Sequence, residues 1–252
     1  MATEDEGAAL KAEVMRARGY WHRFHEGLLA HAPDHLRAYL DFQDAPARTG
    51  VLEPKVREFM YIAADGAVSH LYLGGLARHV EMALDAGATP AEIVEVIQLT
   101  MLTAQAPHDL GLPILAEEMA RRGLPAPPPA EGEAALRAAH EAATGRWPRG
   151  AEMALRLSPG FARAFLAYER IPYEAGPLPR KVKEFVRIAV AGAPTALDRD
   201  TLREAIAAAL DAGATPEEVA EVLQLSSAIA IHTCTGAVPA LMDVLERRKD
   251  SE

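Results

Sequence analysis

Cysteine is nearly absent from this 252-residue chain. Cys234 stands alone, so no intrachain disulfide and no CxxC redox or zinc motif can be built from it. Basic charge is also short. Twenty-six Lys and Arg face 36 Asp and Glu, giving a formal net charge of −10, and aromatics make up only 6% of residues. No Lys/Arg stripe with interleaved aromatics occurs, which speaks against a nucleic-acid surface. No uninterrupted run of 18 apolar residues is present, so no membrane span is expected. The N-terminal MATEDEGAAL lacks the basic and apolar blocks of a signal peptide. These absences lead to the expectation of a cytoplasmic protein with neither a nucleic-acid nor a membrane partner. β-Branched alternation is scarce as well, which excludes a sheet-built core.

What the chain does have is a duplication. LEPKVREFMYIAADGA (52–67) and ALDAGATPAEIVEVIQL (83–99) return as LPRKVKEFVRIAVAGA (178–193) and ALDAGATPEEVAEVLQL (209–225), at a constant offset of 126. Trp21 and Trp147, and Pro33 and Pro159, keep the same offset, so the N-terminal segments belong to the repeat. The fold class that follows is all-α and internally duplicated, with one unit at 1–122, a second at 131–252, and the stiff segment GLPAPPPA (123–130) between them. Half the residues are apolar, enough for two amphipathic units to share a core.

Breakers mark the helices. The first copy reads as helices over 7–30, 33–42, 55–64 and 69–85, a fifth that begins at Thr89-Pro90-Ala91-Glu92, and a sixth that follows Pro107 to about 122. The second reads as 132–144, 147–157, 159–168, 179–191, 198–211, 216–231 and 238–248. The strongest punctuation is Thr89-Pro90-Ala91-Glu92 and its copy Thr215-Pro216-Glu217-Glu218. Each has Thr at the N-cap, Pro at N1 and Glu at N3, a capping box. Those glutamates are expected to satisfy backbone donors rather than to do chemistry.

Lys55-Val56-Arg57-Glu58-Phe59, His79-x3-Ala83-x3-Gly87 and Ala88-Thr89-Pro90-Ala91-Glu92-Ile93 together resemble the carboxymuconolactone decarboxylase family, which includes the alkylhydroperoxidase AhpD. Both halves carry the GAT-P-x-E core, so the resemblance covers two family domains. It implies an AhpD-like helical fold and a homo-oligomer, such as a trimer of tandem chains. AhpD-like peroxidases carry C-x-x-C-x3-H with an upstream glutamate. Here His79 matches the histidine and Glu58 lies near the glutamate, but Tyr72 and Gly75 fall on the cysteine positions. The second copy has Asp198, Thr201 and Ala205. Without thiolates, thiol peroxidase chemistry is excluded. The resemblance to the decarboxylase branch, in His79 to Gly87 and partly in Ala104-Gln105-Ala106-Pro107, implies a lyase or isomerase. It would act on a small anionic, carboxylate- or lactone-like substrate without an organic cofactor.

The two copies differ in their polar residues: His70, His79 and His108 face Ala196, Ala205 and Cys234. This asymmetry predicts one working pocket, in copy one or at its seam with copy two. His79 is the expected acid/base group, on a helix with apolar neighbours; the alternative is a hydrogen-bonded structural histidine. His108, at a helix start, could hold an anion or simply cap the helix. His70 and Glu58 complete the catalytic candidates, and Arg57, Tyr72 and His232 are the substrate-binding ones. His22, His25 and Glu26 share a helix face and, with His79 or His108, could form a metal set, but no HExxH or other strong metal spacing occurs, so no metal or cofactor is assigned. Two other functions stay open: a non-enzymatic helical binding or assembly protein, and a metal-dependent small-molecule enzyme.

Overall fold

The computed structural model describes residues 4–250; the outermost ends of the two expected units, 1–3 and 251–252, lie outside them. Among the described residues all regular structure is helical. Copy one comprises α1 (Glu4–Arg18), α2 (Arg23–His31), α3 (Pro33–Thr49), α4 (Pro54–Gly66), α5 (Leu73–Asp85), α6 (Pro90–Met101), a 3-10 turn (Leu102–Gln105) and α7 (Ala106–Arg121). Copy two repeats the order as α8 (Glu133–Thr144), α9 (Ala151–Leu157), α10 (Pro159–Ala175), α11 (Arg180–Ala191), α12 (Arg199–Asp211), α13 (Pro216–Ala228), a 3-10 turn (Ile229–Ile231) and α14 (His232–Lys249).

Local chemistry fixes several boundaries. Both capping boxes form: the hydroxyls of Thr89 and Thr215 accept from the backbone N–H of Glu92 and Glu218, whose carboxylates accept in return. Several boundaries differ from the sequence expectation: α9 begins at Ala151 rather than 147, α13 ends at Ala228 rather than 231, and α14 begins at His232 rather than 238. The first helix breaks near Gly19, where φ is positive. α5 starts at Leu73 rather than Ser69, because Leu71 turns left-handed (φ 48°), and Leu197 (φ 49°) repeats that turn before α12. α3 and α10 run on through Pro46 and Pro172 to Thr49 and Ala175. Arg57 Nη1 donates to Pro46 O (3.0 Å) and Lys183 Nζ to Pro172 O, so a cation from the next helix closes each late helix end.

The core is common to both copies. Phe59, Met60, Ile62 and Val96 from one, and Phe185, Val186, Ile188 and Val222 from the other, form a single cluster. α4 and α11 sit at its centre and pack on each other. Their apolar faces have no other place to hide, which is why the copies fuse into one body. Neither expected unit, 1–122 or 131–252, keeps its last helix to itself. α14 packs on α2 of copy one, and α7 packs on α9 of copy two. Ile231, Cys234 and Val238 join the copy-one cluster of Leu10, Val14, Phe24, Leu28, Leu36 and Leu40. The stretch Pro216–Lys249, taken whole, is long and apolar enough by composition to resemble a membrane-crossing helix. The 3-10 turn interrupts it, and Val219, Val222 and Leu225 of its first half are buried in the common core.

A reciprocal lock ties the halves. Glu221 of α13 accepts from Val51 N (2.5 Å) and Leu52 N (2.9 Å) ahead of α4. Its counterpart Glu95 of α6 accepts from Leu178 N (2.7 Å) ahead of α11. Each carboxylate lies where a Cβ would stand on Gly50 or Gly176, so both positions need glycine for close approach. The two locks are balanced differently. Pro177 takes Val51's place and has no N–H to give. There Lys183 Nζ pairs directly with Glu95 (2.6 Å), whereas Arg57 stays 3.9 Å from Glu221.

Candidate active site

α4 and α5 of copy one, with the start of α14 from copy two, enclose a cavity of about 410 Å³. The expectation was a pocket in copy one or at its seam with copy two; the helix exchange brings α14 of copy two against α2 of copy one. Glu58 on α4 and His79 on α5 both line the cavity and are bonded to each other, with His79 Nδ1 2.7 Å from Glu58 Oε2. The bond leaves Nε2 as the ring atom able to exchange a proton. Tyr61, one turn after Glu58, stacks on the imidazole (centroids 4.4 Å, 22° between planes) and fixes its plane. Tyr72, Arg78 and His232 also line the cavity, and the α1–α2 junction closes it with Tyr20, His22 and Phe24.

Behind the Tyr72–His232 wall lies a second polar group. His70 Nε2 is 2.6 Å from His232 Nδ1, and the rings stack. Asp65 Oδ1 is 3.7 Å from the same His232 nitrogen. Asp65 is 1% exposed and neither carboxylate oxygen has a hydrogen-bond partner. Burial pushes its carboxyl up to about 6, against the pull of His79. Burial, followed by the charges of His70 and His79, pushes His232 down to about 4. Asp65 has room because residue 75 is glycine: a Cβ there would overlap Asp65 Oδ2 and the Tyr72 ring. Copy two makes the opposite choice, with Ala191 for Asp65 and Thr201 for Gly75.

Five of the seven expected site residues therefore meet here: Glu58, His79, Tyr72 and His232 at the cavity, and His70 through His232. Two lie elsewhere. Arg57 faces the lock, held by Pro46 O and near Glu221. His108 starts α7, which crosses to copy two, so its ring rests against Phe161 (5.2 Å). The His22, His25 and Glu26 set does not form either. His25 is buried, its Nδ1 accepting from His22 N (3.0 Å), and burial holds the ring down at about 4. Asp65, Tyr61 and Arg78 were missed. The first two carry the signal used for the histidines, a polar or aromatic residue unmatched in the repeat, with Ala191 and Arg187 as counterparts.

The equivalent place in copy two has closed. Arg187 stands at Tyr61's position and fills the space left by Ala205, donating to Glu184 Oε2 (2.6 Å), while Arg180 holds the other oxygen (2.8 Å). The cavity there is about 100 Å³. A larger hollow of about 460 Å³, bounded by Val68, Leu71, Ile97 and Met101 among others, has no titratable side chain in its lining.

Comparison with known proteins agrees with this architecture. The carboxymuconolactone decarboxylase family profile matches residues 33–110 and 159–246, one match in each copy. The fold is similar to the crystal structure of a Burkholderia xenovorans LB400 protein described provisionally as a gamma-carboxymuconolactone decarboxylase subunit. The TM-score is 0.89 at 34% identity, over 96% of this chain and 98% of that one. No curated protein matches the sequence. With both halves matched, the AhpD-like all-α fold duplicated and no cysteine pair present, the chain belongs to the carboxymuconolactone decarboxylase family, as a tandem member without the CxxC motif.

Proposed function

We propose that the copy-one cavity decarboxylates a small unsaturated lactone carboxylate of the gamma-carboxymuconolactone type. The Glu58–His79 pair carries this reading. A carboxylate on Nδ1 stabilises the imidazolium once Nε2 takes a proton. Breaking the bond to the carboxylate releases CO2, and its electron pair enters the conjugated C=C–C=O of the substrate. The resulting dienolate takes a proton on carbon from His79 Nε2, and solvent restores that proton. The substrate itself is the electron sink, so the chemistry calls for no organic cofactor.

Arg78 supplies the cation at this cavity in place of Arg57. It lines the wall beside His79, and its Nε is buried without a hydrogen-bond partner. Tyr72 and His232 line the same cavity. Convergence of these polar groups on one cavity favours catalysis over passive binding. The test is CO2 release from gamma-carboxymuconolactone. Glu58→Gln should lower kcat about 10²-fold or more, as removal of an acid/base group's partner does. Absence of CO2 release by the wild-type chain would overturn the substrate class.

The reading includes a homo-oligomer, as a trimer of tandem chains. Val68 (74% exposed), Leu71 and Met101 present apolar surface around the larger hollow, which a second copy would cover. Light scattering should return three times the 27.1 kDa chain mass; a monomer would refute it.

A further inference from the structure

We propose that Asp65, His70 and His232 form a binding site for one divalent first-row transition ion, against the wall of the catalytic cavity. One ligand atom from each lies within 4.8 Å of the others, and this is the one such group of three among the described residues. Two imidazole nitrogens and one carboxylate oxygen are the donors that zinc, iron(II) and their neighbours prefer. The set unites three places in sequence: the end of α4, the left-handed turn before α5, and the first residue of α14 from the other copy.

Asp65 gives the independent reason. A carboxylate 1% exposed with both oxygens unpartnered is costly unless something compensates it. Its approach to α5 depends on Gly75, and the bare turn of copy two shows that the scaffold does without it: Ala191, Ala196 and Ala106 stand at the three positions. A fold that needs none of these residues in one copy has placed all three together in the other. His70 and His232 now touch through their ring nitrogens at 2.6 Å. Bonds of about 2.1 Å to one ion at a tetrahedral angle set their nitrogens about 3.4 Å apart, an opening of about 0.8 Å. Both rings are half-buried beside a turn or at a helix start, so a small rotation supplies it. His232 is the hinge between the two sites: one face lines the cavity and its Nδ1 faces Asp65. The site is independent of Cys234, which packs into the apolar cluster by α2 and α3.

The test uses the full chain, stripped by chelator, dialysed and titrated with Zn²⁺ by calorimetry, so a failed decarboxylation assay leaves its outcome unaffected. One saturable equivalent per chain is expected. Asp65→Asn, His70→Ala and His232→Ala should each weaken it at least about a hundredfold, beyond the 10–100-fold typical of residues that only orient ligands. His79→Ala and His108→Ala should bind as the wild type does. Co²⁺ should show d–d absorption with no thiolate charge-transfer band. Failure to bind one equivalent, or full binding retained by the folded His70→Ala variant, would overturn the proposal; so would a thiolate band.

Discussion

Glu95→Ala is predicted to be among the most damaging single substitutions outside the cavity. Glu95 is 1% exposed, accepts from Leu178 N at 2.7 Å, and pairs with Lys183 Nζ at 2.6 Å. Truncation leaves an ammonium 4% exposed with two carbonyls and the Tyr173 ring but no anion beside it, and removing one partner of a buried pair costs about 3–5 kcal/mol. The unpaired Leu178 N–H adds about 1 kcal/mol or more. Replacing both partners with apolar residues tells a different story, since a buried pair exchanged for hydrocarbon is often neutral or stabilising. Glu95→Met with Lys183→Met should therefore recover most of the loss, keeping only the cost of Leu178 N and the open Pro172 carbonyl. Glu221→Ala should cost less than Glu95→Ala, because Arg57 stands off at 3.9 Å and is less buried. Urea unfolding at fixed protein concentration, followed by circular dichroism, reads all three against the wild type. A loss below about 1 kcal/mol for Glu95→Ala, within the range of ordinary surface changes, would refute the lock. A double variant no more stable than the single one would refute the buried-charge explanation.

Gly75→Ala drives a methyl into Asp65 and Tyr72 and should destabilise by about 1–3 kcal/mol; adding Asp65→Ala, the choice copy two makes, should recover most of it in thermal melts. Burial lowers His140 from 6.5 to about 4, with the Arg146 and Arg170 charges adding to the effect, and His25 falls equally far. Their folded forms stay neutral where the unfolded chain is protonated. Stability present above pH 6.5 is therefore lost as pH falls towards 4, by roughly 3 kcal/mol per ring. His140→Gln should flatten that part of the Tm profile, and an unchanged slope would contradict the assignment. Cys234→Ala should leave CO2 release unchanged, since the thiol is a packing group.

The fold was legible where local chemistry decides. Both Thr-Pro-x-Glu boxes and the constant offset locate α6, α13 and their partners without reference to tertiary contacts. The ends expected at 42 and 168 fell short, because α3 and α10 run on through Pro46 and Pro172 and the cations that close those helix ends arrive from the next helix. The helix exchange was invisible for the same reason. Nothing local says that α7 and α14 cross over, yet that crossing carries His108 to Phe161 and brings His232 to Asp65. His79 and Glu58 were found through a motif, and Arg57 was misplaced because its acidic partner sits in the other copy. Asp65 was hidden in an apolar stretch, IAADGA, that reads as core. Setting it against Ala191 would have exposed it.

The account turns on His79 as the group that returns the proton. The direct measurement is steady-state CO2 release from the lactone acid by His79→Gln beside His108→Gln, with folding checked by circular dichroism. The predicted result is a fall in kcat of about 10²–10⁴-fold for His79→Gln and wild-type turnover for His108→Gln. Wild-type turnover by a folded His79→Gln variant would contradict the account.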